Sequence, residues 1–214
     1  MKAAPLTAGD LGTRKRRSAD LRRAEIVKLA AGLFDREGYH QTSMERLAQA
    51  AGVAKPTLYH YFPSKDTILL EIHRQFIEPL IARHELRLTT ALRPRQLLLE
   101  AMGDILELME THRGHVRVFF EHHRELPIDK HDEVKARRDH YESLLEQVIQ
   151  KGVEEGEFRS LDKRLATLAV FGMCNWAYQW FNPLGALRPR EVAYLMWDIL
   201  ERGIGVPAQL HAAD

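Results

Sequence analysis

The stretch Thr42–Leu69, TSMERLAQAAGVAKPTLYHYFPSKDTIL, holds two short helical patterns joined by a tight turn at Ala51, Gly52 and Val53. The second pattern, Lys55 to Phe62, sets Lys55, Thr57, Tyr59, His60 and Tyr61 around a very short rod. A rod of that size, rich in hydrogen-bonding side chains, fits the major groove of DNA. Two crossing helices need a small residue in the turn between them, and Gly52 supplies it. Ala48 and Ala51 permit close approach, while Leu47, Val53 and Leu58 seal a small core. Lys55, Pro56, Thr57, Tyr59 and His60 are then left at the groove. Tyr59 and Tyr61 offer a hydroxyl to phosphate and a flat ring to sugar or thymine methyl. Lys65, beside an expected helix N-terminus, is placed for a phosphate. Ser43 caps the first of the two helices and joins the DNA-facing candidates.

Upstream, residues 1–18 combine Pro, Gly and Thr with the run Arg14-Lys15-Arg16-Arg17. That composition buries no core, so a flexible basic arm is expected. Its Arg14, Lys15, Arg16 and Arg17 suit a minor groove or the phosphate backbone. From Asp20, read as a cap, the apolar residues Ile26, Leu29, Ala30, Leu33 and Phe34 recur at helical spacing, and Gly38 ends the helix. Residues 1–65 carry 12 Lys/Arg against 6 Asp/Glu, or +6, within a chain whose net charge is +1. A basic N-terminal third on an acidic body places a polyanion partner at one end.

Downstream, Ser64 is read as the cap of a long fourth helix through Ile68, Leu69, Ile72 and Phe76, which Pro79 kinks or ends. Beyond Pro94 the pattern stays helical, over Leu97–His112, Gly114–Arg124, Asp132–Glu155, Asp162–Phe181 and Pro189–Ile204. Nothing alternates with period two for long enough to make a sheet. The fold class is all-α with about nine helices. A three-helix helix-turn-helix unit over 19–66 is followed by a helical bundle over 67–214.

The 214 residues allow one or two domains, and 45% hydrophobic with 29% charged residues is ordinary for a soluble globular chain. The single cysteine, Cys174, excludes an internal disulfide framework and fits a reducing, cytoplasmic setting. No apolar run approaches the ~18–20 residues that span a bilayer, so no membrane partner is expected.

The stretch from about Arg22 to Leu70 resembles the DNA-binding domain of the tetracycline-repressor (TetR) family of bacterial transcription regulators. The matching residues are A-x-x-L-F-x-x-x-G-Y-x-x-T-S (Ala30–Ser43), L-A-x-x-A-G-V (Leu47–Val53) and T-L-Y-x-Y-F-x-S-K (Thr57–Lys65). The resemblance implies that the third helix reads the major groove and that Lys65 contacts phosphate. Glu45 departs from the family pattern, which often has Arg there, facing phosphate. By the same resemblance, the C-terminal domain houses a small-molecule effector and makes a homodimer through its last two helices. The implied partners are a double-stranded, palindromic DNA operator, a second copy of the chain and the effector.

The segment Asn175–Pro183 sets Trp176, Tyr178, Trp180 and Phe181 among Asn175 and Gln179. Aromatic walls with a few polar groups suit a ligand pocket. Met102, Leu106, Met109, Phe119, Phe120, His123, Tyr141 and Phe171 complete the candidate wall; plain core packing is the alternative for each. The run Trp180–Ala193, W-F-N-P-L-G-A-L-R-P-R-E-V-A, with Gly152–Arg159 before it, resembles a TetR subgroup that includes regulators of fatty-acid, sterol and phenylacetate breakdown. Several of those sense acyl-coenzyme A thioesters, which implies an acyl-CoA or another lipophilic or aromatic effector. Phe181 stands where that signature usually has Tyr.

His112, His115, His122, His123, His131 and His140 crowd one region but lack an H-E-x-x-H or a cysteine partner, so no metal is expected. No nucleophile elbow, phosphate loop or paired-carboxylate arrangement marks a catalytic site, and no cofactor is expected. An enzyme is thus disfavoured. A DNA-binding protein governed by a protein partner stays open: a filled core around Trp176 and Trp180 favours it, whereas a cavity there favours the effector.

Overall fold

The structure, a computed structural model, describes the backbone of residues 8–204 and the side chains of 18–204. Its elements in chain order are α1 (Ala8–Glu37), α2 (Met44–Ala50), α3 (Lys55–Tyr61), α4 (Lys65–Leu88), α5 (Pro94–Thr111), α6 (Arg113–His122), α7 (Ile128–Glu154), α8 (Lys163–Asn175), α9 (Ala177–Trp180) and α10 (Pro189–Ile204). A 3-10 turn, His123–Glu125, follows α6. Among the described residues no element is a strand, and nine helices have seven residues or more. The all-α expectation holds.

Local chemistry sets most boundaries. α1 stops where Gly38 takes φ 88°, a left-handed conformation that a side chain disfavours. The Ser43 hydroxyl accepts from the Arg46 amide at 3.1 Å and opens α2. Gly52, at φ 62°, makes the turn into α3. Ser64 and Thr67 form a reciprocal capping box at the start of α4.

Two boundaries differ from the sequence reading. α1 begins at Ala8, so Asp20 lies inside the helix rather than capping it. The backbone at Arg14, Lys15, Arg16 and Arg17 is helical, their side chains lie outside the described residues, and so does the rest of the expected arm, residues 1–7. α4 runs through Pro79 without ending. An interior proline costs roughly 3 kcal/mol. Here it sits on the exposed face, and buried Phe76, Ile77, Leu80 and Ile81 on both sides hold the helix in place.

The first three helices pack as one unit, the expected reading head, with Leu47, Ala48, Leu58 and Phe62 buried at its centre. Two arginines of α1 staple it. Arg22 donates to the Ala51 carbonyl at 2.8 Å, and Arg23 donates to the Tyr61 carbonyl at 3.0 Å. Cations at helix C-termini meet the negative end of the helix dipole, so each contact favours its helix twice over.

In the bundle, α5 is the central helix, packed on α4, α6, α7, α8 and α10. Asp104 of α5 is almost fully buried, at 2% side-chain exposure, and is paired with Arg83, Arg87 and Arg190. A buried carboxylate needs such partners. Arg190 also reaches Glu100 and Glu107, and it lies against Gly103, where no side chain would fit without moving the guanidinium. The network ties α10 to α4 through α5. Head and bundle meet where α6 packs on α1: Arg117 donates to the Asp35 carbonyl at 2.9 Å and pairs with its carboxylate.

Candidate nucleic-acid interface and buried cavity

The reading helix α3 buries only Leu58 and leaves Lys55, Pro56, Thr57, Tyr59 and His60 exposed. Five neighbouring side chains thus offer a cation, hydroxyls, an imidazole and an aromatic face to a groove. Pro56 fixes the first turn, where a missing N–H costs nothing. Tyr61 is half-buried against the core and turns least toward solvent.

The cations of this face are already engaged. Lys55 pairs with Glu45 of α2, the residue that departs from the family pattern, and stands 5.9 Å from the Tyr59 ring centre. The carboxyl of Glu45 is held below its ordinary range, first by the Lys55 hydrogen bond. Lys65 donates to the Tyr39 carbonyl at 2.8 Å and sits 4.7 Å from the Tyr39 ring centre. Its ammonium therefore buttresses the loop before α2 as well as lying near the head of α4. Ser43 is exposed, with its hydroxyl used in the cap. Arg22 and Arg23 carry no signal in a motif scan, because their targets are backbone carbonyls far along the chain.

In the bundle a cavity of about 120 Å³ opens between five helices. His73, Phe76, Ile77 and Leu80 come from α4, Ile105, Leu108 and Met109 from α5, and Val116, Phe119 and Phe120 from α6. Arg138, Tyr141 and Glu142 of α7 and Leu168, Phe171 and Asn175 of α8 complete it. Met109, Phe119, Phe120, Tyr141, Phe171 and Asn175 are thus brought together as the sequence reading has them. Met102 and Leu106 are fully buried away from the lining. His123 stacks on Phe119 from outside the lining, with its Nδ1 3.2 Å from the Phe119 carbonyl. Trp176, Gln179 and Trp180 face solvent, so the cavity does not lie around the two tryptophans. The sequence reading does not reach the α4 contribution: it takes Phe76 only as part of a helical apolar pattern, and His73, Ile77 and Leu80 carry no local signal.

The cavity is greasy but not purely so. Both ring nitrogens of His73 and the hydroxyl of Tyr141 are buried without a protein hydrogen-bond partner. Burial, helped by the charge of Arg138, pulls the His73 imidazole down to about 3, so the ring is neutral. Burial likewise raises the Tyr141 phenol. These are two neutral groups able to donate to a carbonyl. Arg138 lies at the exposed rim and, unlike its neighbour Arg137, which pairs with Glu78, makes no ion pair among the described residues.

A second surface stands out on α8, α9, α10 and the intervening loop. Leu165, Trp176, Trp180, Leu184, Tyr194, Leu195 and Ile199 are exposed there, Leu184 at 94%. The Trp180–Ala193 run builds this surface and the turn into α10: Phe181 is buried, and the Asn182 side chain accepts from the Leu184 amide at 3.0 Å. Among the described residues no helix is long and apolar enough to cross a membrane.

Comparison with known proteins finds two family models along the chain. Residues 26–72 match the family model for bacterial regulatory proteins of the tetR family. Residues 91–204 match that for the tetracyclin repressor-like C-terminal domain. The HTH-type transcriptional repressor KstR2 of Mycolicibacterium smegmatis is 28% identical over 185 residues, covering 86% of this chain and 90% of that protein. The crystal structure of the TetR-family regulator PfmR from Thermus thermophilus superposes with a TM-score of 0.78 at 36% identity, covering 86% of this chain and 99% of that one. AibR, crystallised with isovaleryl coenzyme A and operator DNA, superposes with a TM-score of 0.74 at 26% identity, covering 83% and 97%.

Proposed function

This chain belongs to the TetR family of bacterial regulatory proteins, transcription regulators rather than enzymes, and from that premise we propose a homodimeric repressor released from a palindromic operator by a small acyl or other lipophilic effector. The observation that carries the proposal is the position of α4. Its Glu71 pairs with Arg23 at 3.1 Å, and Arg23 holds the last carbonyl of the reading helix. Its next residues inward, His73, Phe76 and Ile77, wall the cavity. A ligand that shifts α4 therefore shifts the reading head.

The lining supports an acyl chain with a carbonyl. Apolar side chains form most of the wall, and His73 and Tyr141 supply the buried polar atoms a thioester oxygen would meet. The cavity volume of about 120 Å³ suits a short chain or small ring rather than a whole coenzyme. The rest of an acyl-CoA would lie outside, past the rim at Arg138. The exposed Leu165, Tyr194, Leu195 and Ile199 of α8 and α10 support a two-fold contact between copies. Two reading helices about one DNA turn or a little more apart then meet successive major grooves. Release follows if the effector binds the DNA-incompetent dimer more tightly, by about 3 kcal/mol for a factor of ~10².

Native mass spectrometry tests the ligand class. The dimer is titrated with short-, medium- and long-chain acyl-CoA thioesters and the matching free acids. One thioester per protomer should be retained by the wild type and lost when Phe76→Trp fills the cavity. Equal retention by the filled variant would place the ligand elsewhere and overturn the assignment.

A further inference from the structure

At the seam between the reading head and the bundle, three metal-competent side chains converge from separate places in the chain. His40 lies in the loop between α1 and α2, His122 closes α6, and Glu125 ends the 3-10 turn after it. One Glu125 carboxylate oxygen lies 2.9 Å from His40 Nε2, and the other lies 2.8 Å from His122 Nδ1. The ligand atoms of all three residues fall within 4.8 Å of one another. The setting is fixed on one side and open on the other. The His122 ring stacks on Tyr39 at 5.2 Å, and the Tyr39 hydroxyl donates to Asp66 at 2.9 Å. His40 has 68% of its side chain exposed, which leaves an approach from solvent.

We propose that His40, His122 and Glu125 bind a divalent transition-metal ion, best matched by Zn2+, that bridges the DNA-reading domain and the effector bundle. Two imidazole nitrogens and one carboxylate oxygen, at ~2.0–2.2 Å from the ion, are a familiar three-residue set for zinc, with water in the fourth position. Bond lengths of that size in a tetrahedron put ligand atoms about 3.3–3.5 Å apart. The two histidine–carboxylate contacts need to open by only about half an ångström, which torsions of the exposed His40 and Glu125 side chains supply while His122 stays stacked on Tyr39. The carboxylate offsets half of the ion's charge. The ammonium of Lys65 is turned to the carbonyls of Tyr39 and His40, and Asp66 stands beside Tyr39 to balance it. Each imidazole must offer an unprotonated nitrogen to ligate, so protons compete with the ion for the site.

Such an ion would tie the loop that leads into α2 to the end of α6, whose Val116, Phe119 and Phe120 wall the cavity. The site does not depend on the identity of the effector or on repression.

Chelator-stripped full-length protein, titrated with Zn2+ in competition with a chromophoric chelator, provides the test. Co2+ serves as the spectroscopic probe. The expected result is one tight ion per protomer, with visible Co2+ bands of low coordination number. His40→Ala and Glu125→Gln should each weaken Zn2+ at least about 100-fold, since removing even an outer partner of a ligand costs ~10–100-fold. His140→Ala, which breaks an isolated histidine–glutamate pair elsewhere, should change nothing. His40 is exposed enough that its replacement leaves the fold intact, and thermal unfolding without metal verifies this. Wild-type stoichiometry and affinity retained in either His40→Ala or Glu125→Gln, or no tight ion in the wild type, would overturn the proposal.

Discussion

Glu71 of α4 and Arg23 of α1 lie 3.1 Å apart, and the same Arg23 donates to the last carbonyl of the reading helix at 3.0 Å. Its guanidinium also lies over the Phe62 ring, 4.3 Å from the centre. Three contacts of one side chain join the cavity-lining helix to the helix offered to DNA. Arg23→Ala removes them together. A hydrogen bond to a charged group contributes about 1.5–3 kcal/mol. Part of this is lost to solvent exposure, so operator affinity is expected to fall about ten-fold. Effector-driven release should shrink as well. Fluorescence anisotropy with a labelled operator measures both, and circular dichroism confirms that helix content is kept. A variant with unchanged operator affinity and release would remove Arg23 from the coupling.

Glu45 holds Lys55 in the described state and adds a negative charge to the DNA-facing side. Glu45→Gln frees the lysine for phosphate. The expected outcome is tighter operator binding at low salt and a plot of log affinity against log salt that steepens by about one. An unchanged slope would show that Lys55 does not reach a phosphate.

Tyr141 buries a hydroxyl that has no protein partner. Tyr141→Phe should leave the ligand-free protein as stable or slightly more stable, because an unsatisfied polar group is removed. The effector should bind about ten-fold more weakly if that hydroxyl donates to its carbonyl, the value of one hydrogen bond of roughly 1.4 kcal/mol. Urea denaturation and calorimetric titration separate the two effects.

His73 and His115 are buried as neutral rings, pulled down to about 3 and about 4, in each case mainly by burial. Both bind a proton more readily unfolded, near 6.5, than folded. Stability is therefore full above about pH 6.5 and declines as pH falls toward the folded values. At pH 5 the His73 contribution alone is on the order of 2 kcal/mol. His73→Phe should flatten the acid limb of a plot of midpoint against pH. An acid limb as steep as the wild type's would assign it to other groups.

The reading head was legible in the sequence because its signals are local. Gly52 in the turn, Ser43 and Ser64 as caps, and the exposed Lys55, Thr57 and Tyr59 all act within a few residues of where they stand. The cavity was only half legible. Aromatic content pointed to Phe119, Phe120, Tyr141 and Phe171, which line it, and equally to Trp176 and Trp180, which face solvent. Composition reveals an apolar residue but not whether a core, a cavity or another copy of the chain covers it. The α1–α3 staples and the Asp104 network were invisible because they join residues far apart in sequence. Pro79 does not end α4: its local cost is real, but tertiary burial around it outweighs it.

The central claim is that occupancy of the α4–α8 cavity governs the grip of α3 on DNA. The most direct measurement is operator affinity of the wild-type dimer with and without a saturating thioester that native mass spectrometry shows to be bound. A fall of about 100-fold, lost in the cavity-filled Phe76→Trp variant while that variant still binds operator, is the predicted result. Operator affinity unchanged by every ligand that occupies the cavity would contradict the account.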